Sequence, residues 1–206
     1  MKYLKFILLF FFSSCSIFNN HEKIDSFHVK LMNNIGEIEI QLPPVFDKIV
    51  RSEHHSDYYC GDRYSFFIIN KKYSNHILQK TGEFGPRFKK GTPNFYFKIE
   101  QDQHLGCTSS NLYPLNDTLA NWLADFFCRL NYETKILTKK VSQNMIIIGY
   151  QYLRNDSINY MLNIDAYMYI DSNLINFEFV QNGVDDFSIY NEVLKSIENI
   201  KVKKIP

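Results

Sequence analysis

Apolar and polar residues alternate almost without interruption from Ser157 to Ile170. A period of two over this length predicts a β-strand with one apolar face and one mixed face. The apolar positions are Ile158, Tyr160, Leu162, Ile164, Ala166, Met168 and Ile170.

Two more strands are predicted on either side of this one. The first half of Met145–Leu153 is apolar at every position, which predicts a strand covered on both faces. Alternation over 175–180 predicts the next strand. The polar links 154–156 and 171–173 have hairpin length, so the three strands are expected to run antiparallel.

Two amphipathic helices are predicted, one in mid-chain and one near the end. Asp185 or Asp186 would cap the terminal helix, and Asp117 the other. Cys128 lies opposite the mid-chain apolar stripe and is expected to be exposed. The terminal stripe is Phe187, Tyr190, Val193, Leu194, Ile197 and Ile200, and the mid-chain stripe is Leu119, Trp122, Leu123, Phe126, Phe127 and Leu130.

The rest of the chain predicts a hairpin over 27–42 and a helical turn over 45–50. Strands are expected at 64–69, 95–99 and 132–141. Polar or glycine-rich loops are expected over the segments 51–63, 71–93 and 101–116.

The predicted fold class is α+β. An antiparallel sheet of about eight strands would carry amphipathic helices on both faces, as an α/β/α sandwich. The stretches IGEIEIQLPPVF (35–46) and INFEFVQNGVDDFSIYNEVLKSIENIKVK (175–203) resemble Mog1/PsbP-like domains. The resemblance implies a mostly non-enzymatic family, in which some members bind protein complexes and many are small bacterial lipoproteins. It assigns no binding residue in this chain.

The amino-terminal segment has the layout of a targeting signal. Lys2 and Lys5 precede the short apolar run 6–12, which is too short to span a bilayer. FSSC (12–15) resembles the lipobox of bacterial lipoproteins, which implies cleavage after residue 14 and acylation of Cys15. The alternative is an ordinary secretory leader in which Cys15 is incidental.

This interpretation divides the chain into a signal peptide (1–14), a tether (15–25) and one domain (26–206). By family analogy, the residues after Cys15 favour an outer-membrane anchor that faces the periplasm, because they contain no acidic run. Residues 1–14 hold two basic and no acidic residues, so their removal changes the net charge from +1 to −1. This balance gives no electrostatic case for nucleic-acid binding.

The remaining cysteines leave the redox state open. Cys60 and Cys107 could form a disulfide, or all three thiols of the mature domain, Cys128 included, could stay reduced.

No catalytic, cofactor or metal site is predicted. The cluster His54-His55-Ser-Asp57-Tyr-Tyr-Cys60 has metal-ligand chemistry but matches no established spacing. His104 and Cys107 lack an accompanying oxyanion element. The leading hypothesis is therefore a lipid-anchored, non-enzymatic binding or adaptor domain with a protein partner. The alternative is a carrier or sensor of a small molecule, with a cleft between the sheet and the 71–93 loop.

Overall fold

The computed structural model describes residues 26–56, 61–70, 74–77, 86–88, 94–102, 114–130, 132–153, 160–171, 173–182 and 187–204. Its strands are β1 (Phe27–Lys30), β2 (Glu37–Ile40), β3 (Lys48–Ser56), β4 (Gly61–Ile69), β5 (Ser74–Ile77), β6 (Pro86–Phe88), β7 (Asn94–Asp102), β8 (Tyr132–Val141), β9 (Met145–Leu153), β10 (Tyr160–Ile170), β11 (Asn173–Asn182) and β12 (Lys201–Lys203). Its α-helices are α1 (Asp117–Leu130) and α2 (Ser188–Glu198). Among the described residues, no helix is both long and apolar enough to cross a bilayer.

The main sheet has seven antiparallel strands in the order β3-β4-β7-β11-β10-β9-β8. The predicted three-strand run forms the β9-β10-β11 part of this sheet. The alternation along β10 holds, because Leu162, Ile164 and Ala166 are all buried on one face. We call this face the inner face and the opposite one the outer face.

The inner face packs against α2 and a small sheet in the order β1-β2-β12. Helix α2 buries Tyr190, Val193 and Ile197, three positions of the predicted stripe. These side chains join Phe97 and Phe177 of the main sheet in one apolar core.

The outer face is covered at its β8-β9 end by α1. Ala120, Leu123 and Phe127 of this helix pack against Ile146 and Ile148 of β9. Because β9 has apolar cover on both faces, its uninterrupted apolar run is explained. One helix on each face of an antiparallel sheet confirms the predicted α+β sandwich.

Helix α2 and strand β9 approach each other closely at Gly149. A Cβ atom at this position would lie 1.9 Å from the Tyr190 hydroxyl. The same hydroxyl donates a hydrogen bond to Thr138 Oγ1 at 3.4 Å. Only glycine leaves room for this contact without displacing the buried tyrosine ring.

Several local predictions were wrong, and the described residues contain twelve strands instead of about eight. Residues 48–56, predicted as a turn and a loop, form β3, because the backbone pairs with β4 despite the polar sequence. The terminal helix is shorter than the predicted stripe, because α2 ends at Glu198, before Ile200, and Lys201–Lys203 forms β12 on the edge of β2. The 71–93 loop contains the paired strands β5 and β6.

The predicted helix caps also need correction. The Leu119 N–H donates to Asn116 Oδ1 at 3.0 Å, so Asn116 and not Asp117 caps α1. Phe187 occupies the cap position of α2 and provides no side-chain hydrogen bond. Asp185 and Asp186 lie outside the described residues.

Candidate binding surface on the outer face

Helix α1 exposes three large apolar side chains on one side. Trp122, Phe126 and Leu130 are 58%, 39% and 63% exposed. Their spacing of four places them along one line of the helix, which we call the α1 stripe. The Trp122 and Phe126 rings stack with their centroids 5.3 Å apart. An exposed row of this kind is typical of an interaction surface, whereas single exposed apolar residues are common.

The sequence predicted all six apolar positions of α1 on a single buried stripe, and the structure divides them. Leu123 and Phe127 are buried together with Ala120 and Ala124, whereas the α1 stripe is exposed. Ala120, Leu123 and Phe127 face the sheet, and this contact sets the rotation of the helix. The six large apolar residues cover a wider part of the helix surface than the part that contacts the sheet. The residues at the outer edge, which form the α1 stripe, therefore stay in solvent.

A groove of about 760 Å³ lies between the start of α1 and the adjacent ends of β10 and β11. Tyr169 and Leu174 are directly opposite each other at this end of the sheet. The groove, which we call the α1 groove, is lined by Pro114, Leu115, Asn116, Thr118, Leu119, Trp122, Leu123, Tyr167, Tyr169 and Leu174. Its lining has no charged side chain, so it suits apolar groups.

A buried hydrogen-bonded group lies further along the outer face. Tyr150 donates to Asp165 Oδ2 at 2.9 Å and accepts from Asn163 Nδ2 at 3.2 Å. Burial, reinforced by the charge of Glu178, raises the pKa of Asp165 to about 7. Burial and Asp165 together raise the pKa of the Tyr150 hydroxyl.

An ion-pair network continues on β7 and β11. Lys98 Nζ lies 2.5 Å from Glu178 Oε2 and 3.3 Å from Glu100 Oε2. Burial alone would lower the pKa of Lys98, but the two carboxylates outweigh it and raise the pKa. Tyr96 donates to Glu178 at 3.1 Å, and Ser65 donates to Glu100 at 3.0 Å. Both carboxylates of the network are therefore paired with Lys98 and with a hydroxyl donor.

A second cleft, of about 730 Å³, lies between α2 and β2 on the inner-face side of the molecule. It is lined by Ser26, Glu39 and Lys195 among others. The Lys203 ammonium group lowers the pKa of Glu39 by a direct hydrogen bond. The acidic residues that line this cleft, Glu39 and Glu192, are balanced by Lys195 and Lys201. The α1 groove and the α1 stripe are therefore the stronger candidate surface.

The residues singled out from the sequence fall in several places. Cys128 is exposed, as predicted. Cys15, Cys60, Cys107 and His104 lie outside the described residues, so acylation and the disulfide stay predictions.

His54, His55 and Ser56 form the end of β3, with His54 opposite Arg63 and His55 opposite Asp62. Asp57 and Cys60 of the same cluster lie outside the described residues. The described residues contain no group of three or more His, Cys, Asp or Glu positioned to hold a metal ion. The carrier cleft expected beside residues 71–93 stays a prediction, because most of that segment is outside the described ranges.

Comparisons with known proteins give similarity only to solved structures. No family model matches the chain, and no curated protein matches it significantly. A Mog1 mutant is 8% identical, covers 87% of this chain and 96% of its own, and has a TM-score of 0.49. LpqN, involved in cell envelope biogenesis of Mycobacterium tuberculosis, is 8% identical, with 86% and 90% coverage and a TM-score of 0.36.

The resemblance of segments 35–46 and 175–203 to Mog1/PsbP-like domains stays a prediction from the sequence. The fold class itself follows from the strand order and from the helix on each face.

Proposed function

We propose that this protein is a lipid-anchored component of the bacterial cell envelope whose domain binds a protein partner and catalyses no reaction. The observation that carries the binding role is the α1 stripe beside the α1 groove. Covering Trp122, Phe126 and Leu130 would remove apolar surface from water, at about 25 cal/mol per Å². Exposed aromatic anchors next to a concavity are common centres of protein–protein interfaces.

The lipid anchor is supported by the charged, apolar and small-residue order of residues 1–14 followed by Cys15. We place the anchor in the outer membrane, with the domain in the periplasm. Several acyl chains would hold the protein stably, because a single chain binds a bilayer only marginally. Cys15→Ser is expected to abolish labelling by an alkyne fatty acid and to release the protein from membranes. Unchanged labelling would contradict Cys15 as the attachment site.

The binding role is tested by placing a photo-crosslinking amino acid at position 126 in intact cells. Position 192 on α2, at the opposite side of the main sheet, is the matched control. We expect one protein to crosslink from position 126 and not from position 192. Crosslinks to lipid alone, or the same products from both positions, would contradict a protein-binding surface on α1.

A substitution experiment separates binding from folding. Trp122→Ala combined with Phe126→Ala is expected to abolish the crosslink, measured from a probe at position 130, and to leave the melting temperature almost unchanged. These side chains are exposed, so their removal leaves no internal cavity. Asn121→Ala combined with Asp125→Ala, on the polar side of the same helix, should preserve the crosslink.

A further inference from the structure

We propose that the α1 groove binds a lysine or arginine side chain presented by an apolar segment of the protein partner. The inference rests on the proposed function, because it gives the chemistry of the partner at the same surface. Two features carry it: the aromatic lining of the groove and the charges beside it.

The aromatic lining suits a cation with a long apolar stem. Trp122, Tyr167 and Tyr169 all line the groove. The faces of these rings attract ammonium and guanidinium groups within about 6 Å. Leu115 and Leu119 complete an apolar surface against which the methylene groups of lysine or arginine can pack.

The charges beside the groove favour a positive group. On the outer face, the row Tyr167–Asn176 follows the row Tyr169–Leu174, and the row Asp165–Glu178 comes next. Successive rows are about 7 Å apart. Strand β7 adds Lys98 opposite Glu178 and Glu100 opposite Asn176. Glu178 and Glu100 both pair with Lys98 and together exceed its charge by one, and Asp165, with a pKa of about 7, adds part of a second negative charge at neutral pH.

The negative potential reaches a residue that lines the groove. Burial first, and then the charges of Asp165, Glu178 and Glu100, raise the pKa of Tyr167. The same potential that disfavours a tyrosinate at this position stabilises a cation beside the ring. An acidic segment would be repelled at the same place.

The test uses the acylated full-length protein in zwitterionic nanodiscs. Trp122 is the single tryptophan of the chain, so its fluorescence reports directly on the groove. Three capped peptides of sequence Ser-Leu-Leu-X-Leu-Leu-Ser, with arginine, glutamine or glutamate at X, serve as probes. Empty nanodiscs correct for partition of each peptide into lipid.

We expect the arginine peptide to change the Trp122 emission saturably, with a Kd about tenfold below that of the glutamine peptide. The glutamate peptide should bind most weakly. Equal affinities for arginine and glutamine would overturn the basic preference and leave the apolar docking surface intact. No response to any peptide would also overturn it, and the crosslink from position 126 would then judge the proposed function separately.

A pair of variants tests which carboxylate produces the preference for the arginine peptide. Glu178→Gln should reduce the preference for arginine over glutamine by about fivefold, because it removes the carboxylate that lies opposite Asp165. Glu192→Gln, on α2, should leave the preference unchanged. The same loss in both variants would contradict a local effect of the outer-face carboxylates.

Discussion

Asp165 is a carboxyl group held in the middle of a sheet. It lies directly opposite Glu178 on the neighbouring strand, and it is 7% exposed. Its hydrogen bond from Tyr150 favours the ionised form, but burial and the charge of Glu178 outweigh this contribution. The folded chain therefore binds the Asp165 proton more tightly than the unfolded chain does.

This difference predicts that stability falls as pH rises. The pKa of Asp165 is about 7 in the folded protein and 3.8 for a free side chain. Between these values the folded state binds more protons, so the free energy of unfolding decreases with increasing pH. From pH 5 to pH 8 we expect a loss on the order of 2–4 kcal/mol, measured by urea denaturation.

Asp165→Asn provides the control for this prediction. The amide can still accept from Tyr150 but cannot titrate, so the slope between pH 5 and pH 8 should largely disappear. An unchanged slope in Asp165→Asn would assign the pH dependence to other groups, such as the histidines.

At the scale of elements, the close approach of α2 to β9 depends on the absence of a side chain at Gly149. Gly149→Ala would place a methyl group 1.9 Å from the Tyr190 hydroxyl and 3.1 Å from its Cζ atom. Tyr190 is buried in the core and cannot swing away. We expect a destabilisation of about 1–3 kcal/mol, measured as a shift in the denaturation midpoint.

Tyr190→Phe tests the cause of that destabilisation. Alone, this change removes only a long hydrogen bond to Thr138 and should cost less than about 1 kcal/mol. In its presence Gly149→Ala should become less damaging, because the hydroxyl that clashes is gone. Strictly additive effects of the two substitutions would show that the hydroxyl contact does not limit residue 149.

The elements of this fold could be predicted where packing follows periodicity. The strand at 160–170 and helix α2 repeat with clear periods, and each buries most of the expected positions. Tyr160 and Phe187 are exceptions, at 42% and 37% exposed. The rotation of α1 could not be predicted, because its six large apolar residues span a band wider than one contact. Only the packing of Ala120, Leu123 and Phe127 against β9 decides that Trp122 is exposed.

Even less of the candidate site could be predicted from the sequence. Asn163 and Asp165 occupy the mixed face of an alternating strand, a pattern that does not reveal whether polar side chains are buried. The ion pairs of Lys98 with Glu178 and Glu100 join residues on different strands. Their convergence depends on the strand order β7-β11-β10, which periodicity does not specify.

At the scale of the whole molecule, both ends of the domain meet on the small sheet. Strand β12 pairs with β2, and Val202 packs against the main core. Ending the chain after Ile200 removes this strand, its backbone hydrogen bonds and one half-buried apolar side chain. We expect the free energy of unfolding to fall by about 2–4 kcal/mol in urea denaturation.

Lys201→Gln with Lys203→Gln is the matched control for this truncation. It keeps the strand but removes the ion pairs to Glu39, at 3.5 Å and 2.6 Å. Exposed ion pairs contribute little, so the change should stay below about 1 kcal/mol. A loss as large as that of the truncation would assign the effect to charge and not to strand pairing.

The small sheet also brings the first and last described strands of the domain close together. Strands β1 and β12 flank β2 and run parallel to each other, with Phe27 opposite Ile40 and Lys203 opposite Glu37. Two strand spacings sideways and three residues along the strand separate these ends by about 14 Å. A linker of about six residues could join them, so a circular permutant with new ends between β8 and β9 should keep the same core. A tag fused after β12 would lie near the start of β1, on the side of the sheet away from α1.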